Sequence, residues 1–269
     1  GLLLWIFILF VGKHHLSRIM SNTLGGLLAS FFCIVMYKLG VGTHLSNMII
    51  GAVIPLIPGV AFTNGIRDLA NEDYIAGVTR LLDALLTFFC IAMGVALSFV
   101  IDSVIYGQMQ NLDSLAASSE TAHLYVQLPA AFIGTWAFAV LFGVPRKYYL
   151  DCGLCGMLGW LLYLLLLNHT SLSPTIVVFF ATVLVAVTSL IQSIIRRCPV
   201  TVFLISGIFP LVPGAGIFWT SYHLVSNDLY AAIQTGAVAI KATIAIAFGI
   251  LLVMEINSKN RIGKLFARK

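Results

Sequence analysis

Two short strings hold the residue types most able to do chemistry in this chain: Pro55-Leu56-Ile57-Pro58-Gly59 and Pro210-Leu211-Val212-Pro213-Gly214. Each follows an apolar, helix-like run. Proline removes an amide donor and clashes with the preceding turn, and glycine permits tight backbone geometry. In hydrocarbon, such a break is tolerated only where it is buried in protein or lines a cavity. Two breaks near the midplane would bring together two half-helix N-termini, whose free amides and dipole favour a carboxylate. Discontinuous helices bind substrate in this way in transporters. The competing reading is two plain kinks with no ligand.

Polar residues follow each break. Thr63, Asn64, Thr220 and Ser221 have the groups to hydrogen-bond an amino or hydroxyl function. Arg67 and His223 are candidates for carboxylate contact or proton coupling, histidine being the side chain that titrates near neutrality. Surface placement is the plainer alternative for both. Asp73 and Asp228 precede apolar helical runs, where N-capping is the plainer explanation and coupling the functional one. Asp83 and Lys241 fall inside apolar spans, where a charge is a functional hypothesis by default; they pair with each other or serve coupling. Arg80 has the length to snorkel to the interface. Cys152-Gly-Leu-Cys155 has the spacing of a metal or redox pair but sits in an apolar run without partners, and reads as helix packing. No phosphate loop, HExxH or hydrolytic triad stands out, so the expectation is a non-enzyme with no metal and no cofactor.

The elements that must position these groups are membrane helices. The 269 residues have a mean hydropathy of +1.02, are 60% hydrophobic and only 9% charged. A soluble domain carries about 25% charged residues. That excludes an ordinary soluble enzyme and a disordered chain. The net charge is +5, and the tail beyond Met254, with five cations against Glu255, supplies +4 of it. The basic pI is thus a tail effect, and no nucleic-acid partner is expected. A span needs about 20 apolar residues. Nine segments qualify in whole or part: 1–12, 19–37, 45–69, 76–100, 123–142, 149–167, 174–191, 200–225 and 230–254. The first is short and lacks a charged leader, as in a chain that begins within a helix.

An offset of 155 residues that superposes the two Pro-Gly strings also pairs Trp5 with Trp160, His14 with His169, Asp73 with Asp228 and Gly94 with Gly249. The expected architecture is an all-α polytopic membrane protein of two five-helix repeats, the first lacking its first helix. The parts are residues 1–101, an extracytoplasmic linker 102–122, a second repeat 123–256 and a basic tail 257–269. An odd helix count inverts consecutive copies. Arg146, Lys147, Arg196, Arg197 and the tail then lie in the cytoplasm by the positive-inside rule, as do Lys13, Arg18 and Arg67. Lys38 runs against this bias. Inverted repeats are a transporter signature.

The segment PLIPGVAFTNGIRDLANEDYIAGVTRLLDALLTF (residues 55–88) resembles the membrane part of the threonine/serine exporter family. FGVPRKYYLDCGLCGMLGW (142–160) and PLVPGAGIFWTSYHLVSNDLYAA (210–232) resemble that family's smaller second component, which some members fuse to the first. The resemblance implies secondary, proton-coupled export of threonine and serine from the cell membrane. Related two-component systems imply C4 dicarboxylates such as succinate as the alternative substrates. It also implies a hydrophilic N-terminal cytoplasmic domain, absent from this chain along with the missing helix. The functional carry-over falls on Pro55, Pro58, Gly59, Asp73, Pro210, Pro213, Gly214 and Asp228. Membrane lipid and a second copy of the chain are the other partners considered. A passive channel and a non-transporting scaffold subunit are the other functional readings.

Overall fold

The computed structural model describes residues 17–42, 44–59, 61, 64–65, 68, 73–106, 124–225 and 227–266. Among these the regular structure is entirely helical. In chain order the helices are α1 (Arg18–Lys38), α2 (Leu45–Val53), α3 (Tyr74–Tyr106), α4 (Leu124–Leu141), α5 (Tyr149–His169), α6 (Pro174–Arg196), α7 (Thr201–Ile208), α8 (Gly214–Val225) and α9 (Leu229–Phe266). Short 3-10 turns cover Ile54–Leu56, Arg146–Tyr148 and Phe209–Leu211.

The boundaries follow local chemistry. The Ser17 hydroxyl accepts from the Met20 amide at 3.3 Å and caps α1. Pro174 opens α6, where its missing amide is no loss. Arg197 ends α6 with a left-handed φ of 52°, and Pro199 follows.

Among the described residues, six helices are long and apolar enough to cross a membrane. A seventh is gained if Thr201–Leu211 and Gly214–Leu224 count as one broken span. Expected spans 19–37, 76–100, 123–142, 149–167, 174–191 and 230–254 each fall on one of the six, and 200–225 falls on the broken pair. Within 45–69, the helix Leu45–Leu56 is too short to cross alone. Segment 1–12 lies outside the described residues. Many large apolar side chains are exposed, Phe32, Leu86 and Val104 among them. The protein is an all-α multi-pass membrane protein.

The 155-residue offset reappears in the backbone. It carries the 3-10 turn Ile54–Leu56 onto the 3-10 turn Phe209–Leu211, and the start of α3 at Tyr74 onto the start of α9 at Leu229. It carries α2 onto residues 200–208, one residue from the bounds of α7.

The chain forms two compact units. The first holds the described residues of Gly1–Phe62, Thr79–Thr121 and Pro213–Ala239; the second holds those of Thr63–Val78, Ala122–Val212 and Ile240–Lys269. These units do not coincide with the segments 1–101 and 123–256 expected from the sequence. The chain changes unit shortly after the first Pro-Gly string and within the second, between Val212 and Pro213, and α8 belongs with α1, α2 and most of α3.

The core of the first unit is built on Leu45, Ile49, Val53 and Ile57 from α2 and its break, with Phe88, Ile91 and Val95 from α3 and Ile217, Phe218 and Tyr222 from α8. Helices α1 and α3 touch backbone to backbone. A Cβ placed on Gly94 would lie 2.1 Å from the Thr23 carbonyl oxygen, and one on Gly26 would lie 2.7 Å from that of Ile91. Two ion pairs join the same helices: Arg18 with Asp83 at 3.0 Å, and Lys38 with Asp102. Helix α3 extends six residues past Val100 and takes Asp102 into the core, 2% exposed.

The core of the second unit gathers Val178, Ala181 and Val185 of α6, Leu204 and Ile208 of α7, and Ile246, Ile250 and Val253 of α9. Cys155 is buried there, its sulfur 3.2 Å from both the Thr188 and Ser189 hydroxyls. Gly249 of α9 lies against Thr182 of α6, a looser counterpart of the Gly94 approach. Asp151 of α5 pairs with Arg196 of α6 at 2.8 Å, and its carbonyl accepts from Gln192.

Candidate functional site

The backbone of each break is dictated by its second proline. A residue before proline is driven from helical to extended geometry by the proline ring. Ile57, before Pro58, has φ −73° and ψ 119°; Val212, before Pro213, has φ −63° and ψ 128°. The first proline of each pair sits inside the tight turn, where Ile57 N donates to Ile54 O at 3.1 Å and Val212 N donates to Phe209 O at 3.2 Å. Two sequence strings thus give two nearly superposable breaks.

The breaks also differ. Pro55 is exposed, Pro58 half-buried and Gly59 buried, whereas Pro210, Pro213 and Gly214 are all half-buried. After the second break α8 begins at once at Gly214, and its first amides have no carbonyl one turn earlier to bond. After the first break, Asn64 and Gly65 are helical, Asn64 half-buried and Gly65 buried. Thr63 and Arg67 lie outside the described residues.

Within the first unit the two strings meet. A Cβ placed on Gly214 would stand 3.5 Å from Cγ2 of Ile57, in ordinary contact. The start of α8 is therefore set against the break that ends α2. From there α8 carries an aromatic series. Phe218 and Tyr222 are buried, and Trp219 has its ring centroid 5.7 Å from those of both Phe218 and Tyr222. His223 stacks on Trp219 at 5.8 Å and meets Tyr222 edge-on at 5.9 Å. These rings line α8, with the His223 imidazole toward its C-terminal end.

The remaining candidates are placed individually. Thr220 donates to Gly216 O at 2.8 Å and bonds the Thr235 hydroxyl of α9 at 3.1 Å, so its oxygen is engaged within the protein. Ser221 falls on α8. Asp228 is exposed, and its carboxylate accepts from the Ala231 amide at 3.1 Å, capping α9. Asp73 is also exposed; its carbonyl accepts from Gly77 at 2.9 Å. Asp83 takes Arg18 as its partner, in a pair 57% exposed on the carboxylate side. Lys241 is exposed on α9, and so is Arg80 on α3. The structure thus gathers Ile57, Pro58, Gly59, Gly214 and the α8 rings, and leaves Asp73, Asp228 and Lys241 at exposed positions.

Two features escaped the sequence reading. Arg18 and Lys38 find their carboxylates 65 and 64 residues away, beyond any local pattern. The aromatic series at 218, 219, 222 and 223 has helical spacing, which was visible but reads as ordinary packing. Among the described residues, no group of three or more His, Cys, Asp or Glu side chains is placed to hold a metal.

Comparison with known proteins adds to this geometry. The family model described as "Threonine/Serine exporter, ThrE" matches residues 127–256, and a second model for threonine/serine exporters matches residues 1–101. The chain belongs to the threonine/serine exporter family. That family is one of transport proteins, not enzymes. A curated relative from Corynebacterium glutamicum, named "Threonine/serine exporter", is 23% identical over 247 residues, which is 90% of this chain and 50% of that protein. The chain spans about half the length of the curated relative it matches. No solved structure matches it. The two family matches fall on either side of residues 102–126, close to where the sequence repeats divide.

Proposed function

We propose that this chain is the membrane part of a secondary exporter of a small carboxylate-bearing metabolite, with threonine and serine as the first candidates and succinate as the dicarboxylate alternative. The observation that carries the reading is the contact of Gly214 with Ile57, which sets one broken helix against the other. The first-turn backbone amides of α8, which lack an intrahelical partner, supply the anion-binding end. Ile57 and the α8 rings form the apolar wall, and His223 is the group suited to take up a proton.

The five-helix repeats run in opposite senses in this reading. An odd repeat and the charge bias of the loops both favour that arrangement. Lys38, the cation that opposed the bias, is paired with buried Asp102. The tail is then cytoplasmic. Alternating access moves the breaks between the two faces, and the proton gradient drives export. Pro55, Pro58, Pro210 and Pro213 fix the breaks. Thr63, Asn64, Arg67, Thr220 and Ser221 supply polar contacts, and Asp73, Asp83, Asp228 and Lys241 serve coupling or closure.

The test is counterflow in proteoliposomes holding the full-length protein, with threonine, serine and succinate as separate substrates. A Gly214→Leu variant places a branched side chain against Ile57, and the expectation is loss of counterflow with the protein still folded. Flux that never exceeds the substrate gradient would identify a passive pore instead. No counterflow with any substrate by an intact protein would favour a scaffold. Full transport by Gly214→Leu would remove the site from the breaks.

A further inference from the structure

Two basic turns converge at one end of the second unit. The turn between α4 and α5 carries Arg146 and Lys147; the end of α6 carries Arg196 and Arg197. They are brought together by a small core in which Val144 and Tyr149 from one side and Cys198 and Val202 from the other pack on Tyr148, Cys152 and Phe203. The Tyr148 and Phe203 rings meet edge to face at 5.5 Å. Four cations thus lie on these two turns, and the Asp151 carboxylate beside them is engaged by Arg196. Lys147 lies over the Tyr148 ring with its nitrogen 4.7 Å from the centroid, and Arg146 and Arg197 are exposed.

Between the α4–α5 turn and the start of α7 lies a half-open cavity of about 190 Å³. Its walls include Phe142, Val144 and Pro145 from one turn and Thr201, Val202 and Ile205 from α7. Directly beside the cations the surface is apolar: Leu141, Phe142, Leu150, Ile194 and Ile195 are all exposed. At the end of α6 the exposed pair Ile194 and Ile195 runs directly into Arg196 and Arg197; at the end of α4 the exposed pair Leu141 and Phe142 is followed by the turn that carries Arg146 and Lys147. That order matches the depth profile of a lipid, with chains first and a charged headgroup above them.

We propose that this end of the second unit is a binding site for an anionic phospholipid. The phosphate pairs with Arg146, Lys147 and Arg197, and the upper acyl chain or glycerol enters the cavity between Phe142 and Ile205. The cations stand at the edge of an exposed apolar surface that faces acyl chains in a bilayer, so the anion within their reach is a lipid headgroup. The inference is independent of the transported substrate.

The experiment counts lipid bound to the detergent-solubilised full chain by native mass spectrometry. Phosphatidylglycerol, phosphatidylcholine and inorganic phosphate are added in separate arms. A basic residue near an anionic headgroup contributes about fivefold in affinity. Arg146→Gln alone should weaken phosphatidylglycerol about fivefold, and R146Q/K147Q/R197N on the order of a hundredfold. Asparagine is used at 197 because it tolerates the left-handed backbone there. Arg80→Gln, which removes a charge from the other unit, should change nothing. The proposal is overturned by equal retention of phosphatidylcholine, by displacement of the lipid by millimolar phosphate, by unchanged binding in R146Q and the triple variant, or by an equal loss in R80Q.

Discussion

Glycine-to-alanine substitutions at three helical positions should separate by packing alone. At Gly94 the added Cβ would stand 2.1 Å from the Thr23 carbonyl oxygen and 2.8 Å from the Leu27 nitrogen. Both are backbone atoms of α1, so no side chain can rotate away. Ordinary carbon–oxygen contact begins at about 3.3 Å, so α1 and α3 must separate by about 1 Å. Overpacking of this kind costs about 1–3 kcal/mol, and a backbone clash belongs at the upper end. Alanine regains about 1 kcal/mol of helix propensity. The net expectation for Gly94→Ala is a loss of about 2 kcal/mol. Gly249, its counterpart at the 155-residue offset, would meet Cβ and Cγ2 of Thr182 at 3.1 Å and the Phe179 carbonyl oxygen at 3.3 Å, so α6 has to give by only a few tenths of an ångström. Gly249→Ala should stay within about 0.5 kcal/mol of the parent, propensity offsetting strain. Gly134 has nothing within 4 Å of an added Cβ. Gly134→Ala should gain nearly the whole 1 kcal/mol or so of propensity. The assay is reversible unfolding of the purified full chain in mixed micelles by increasing dodecyl sulfate, followed by tryptophan fluorescence and helical circular dichroism. A Gly94→Ala protein as stable as the parent would refute the close approach of α1 and α3. Equal effects at all three sites would refute the reasoning as a whole.

Three further outcomes follow from particular contacts. Lys38→Met leaves the Asp102 carboxylate buried without its cation and should cost about 3–5 kcal/mol; the double variant K38M/D102L should recover most of that in the same unfolding assay. Asp228→Ala should lose about 1 kcal/mol of stability with the α9 cap, whereas Asp228→Ser should keep it; if Asp228→Ser unfolds normally yet stops counterflow, the carboxylate does more than cap. Thr220→Val removes the hydroxyl pair with Thr235 and should cost about 1 kcal/mol, a shift that the Thr235→Val variant should match and the double variant should not double.

What the sequence could disclose is set by the range of the interactions involved. Proline acts on its own residue and the one before it, so the breaks at Ile57 and Val212 and the tight turns before them were legible, down to matching bounds at an offset of 155 residues. The long apolar runs were legible for the same reason, since their length alone meets the membrane. Capping by Asp228 was foreseen as the plain explanation and is observed. The partners of Asp83 and Asp102 were not legible. Each lies on α3 and is met by a cation on α1, and only the helix–helix contact at Gly26 and Gly94 brings them into register. Asp102 was grouped with a polar linker because Gln108, Asn111 and Asp113 follow it, yet the helix continues past it. The grouping of α8 with α1, α2 and α3 had no local signal at all, because it is decided by which apolar faces fit.

The change of unit at each break has a consequence for how the protein is made. During synthesis α1, α2 and α3 emerge long before Pro213–Ala239, yet that late segment supplies Ile217, Phe218 and Tyr222 to their core. The early helices must therefore wait in the bilayer with an unfilled groove until more than a hundred further residues have been translated. The order of assembly is closure from the C-terminal side. Severing the chain between residues 106 and 124 should leave two pieces that mature only when both are inserted in the same membrane.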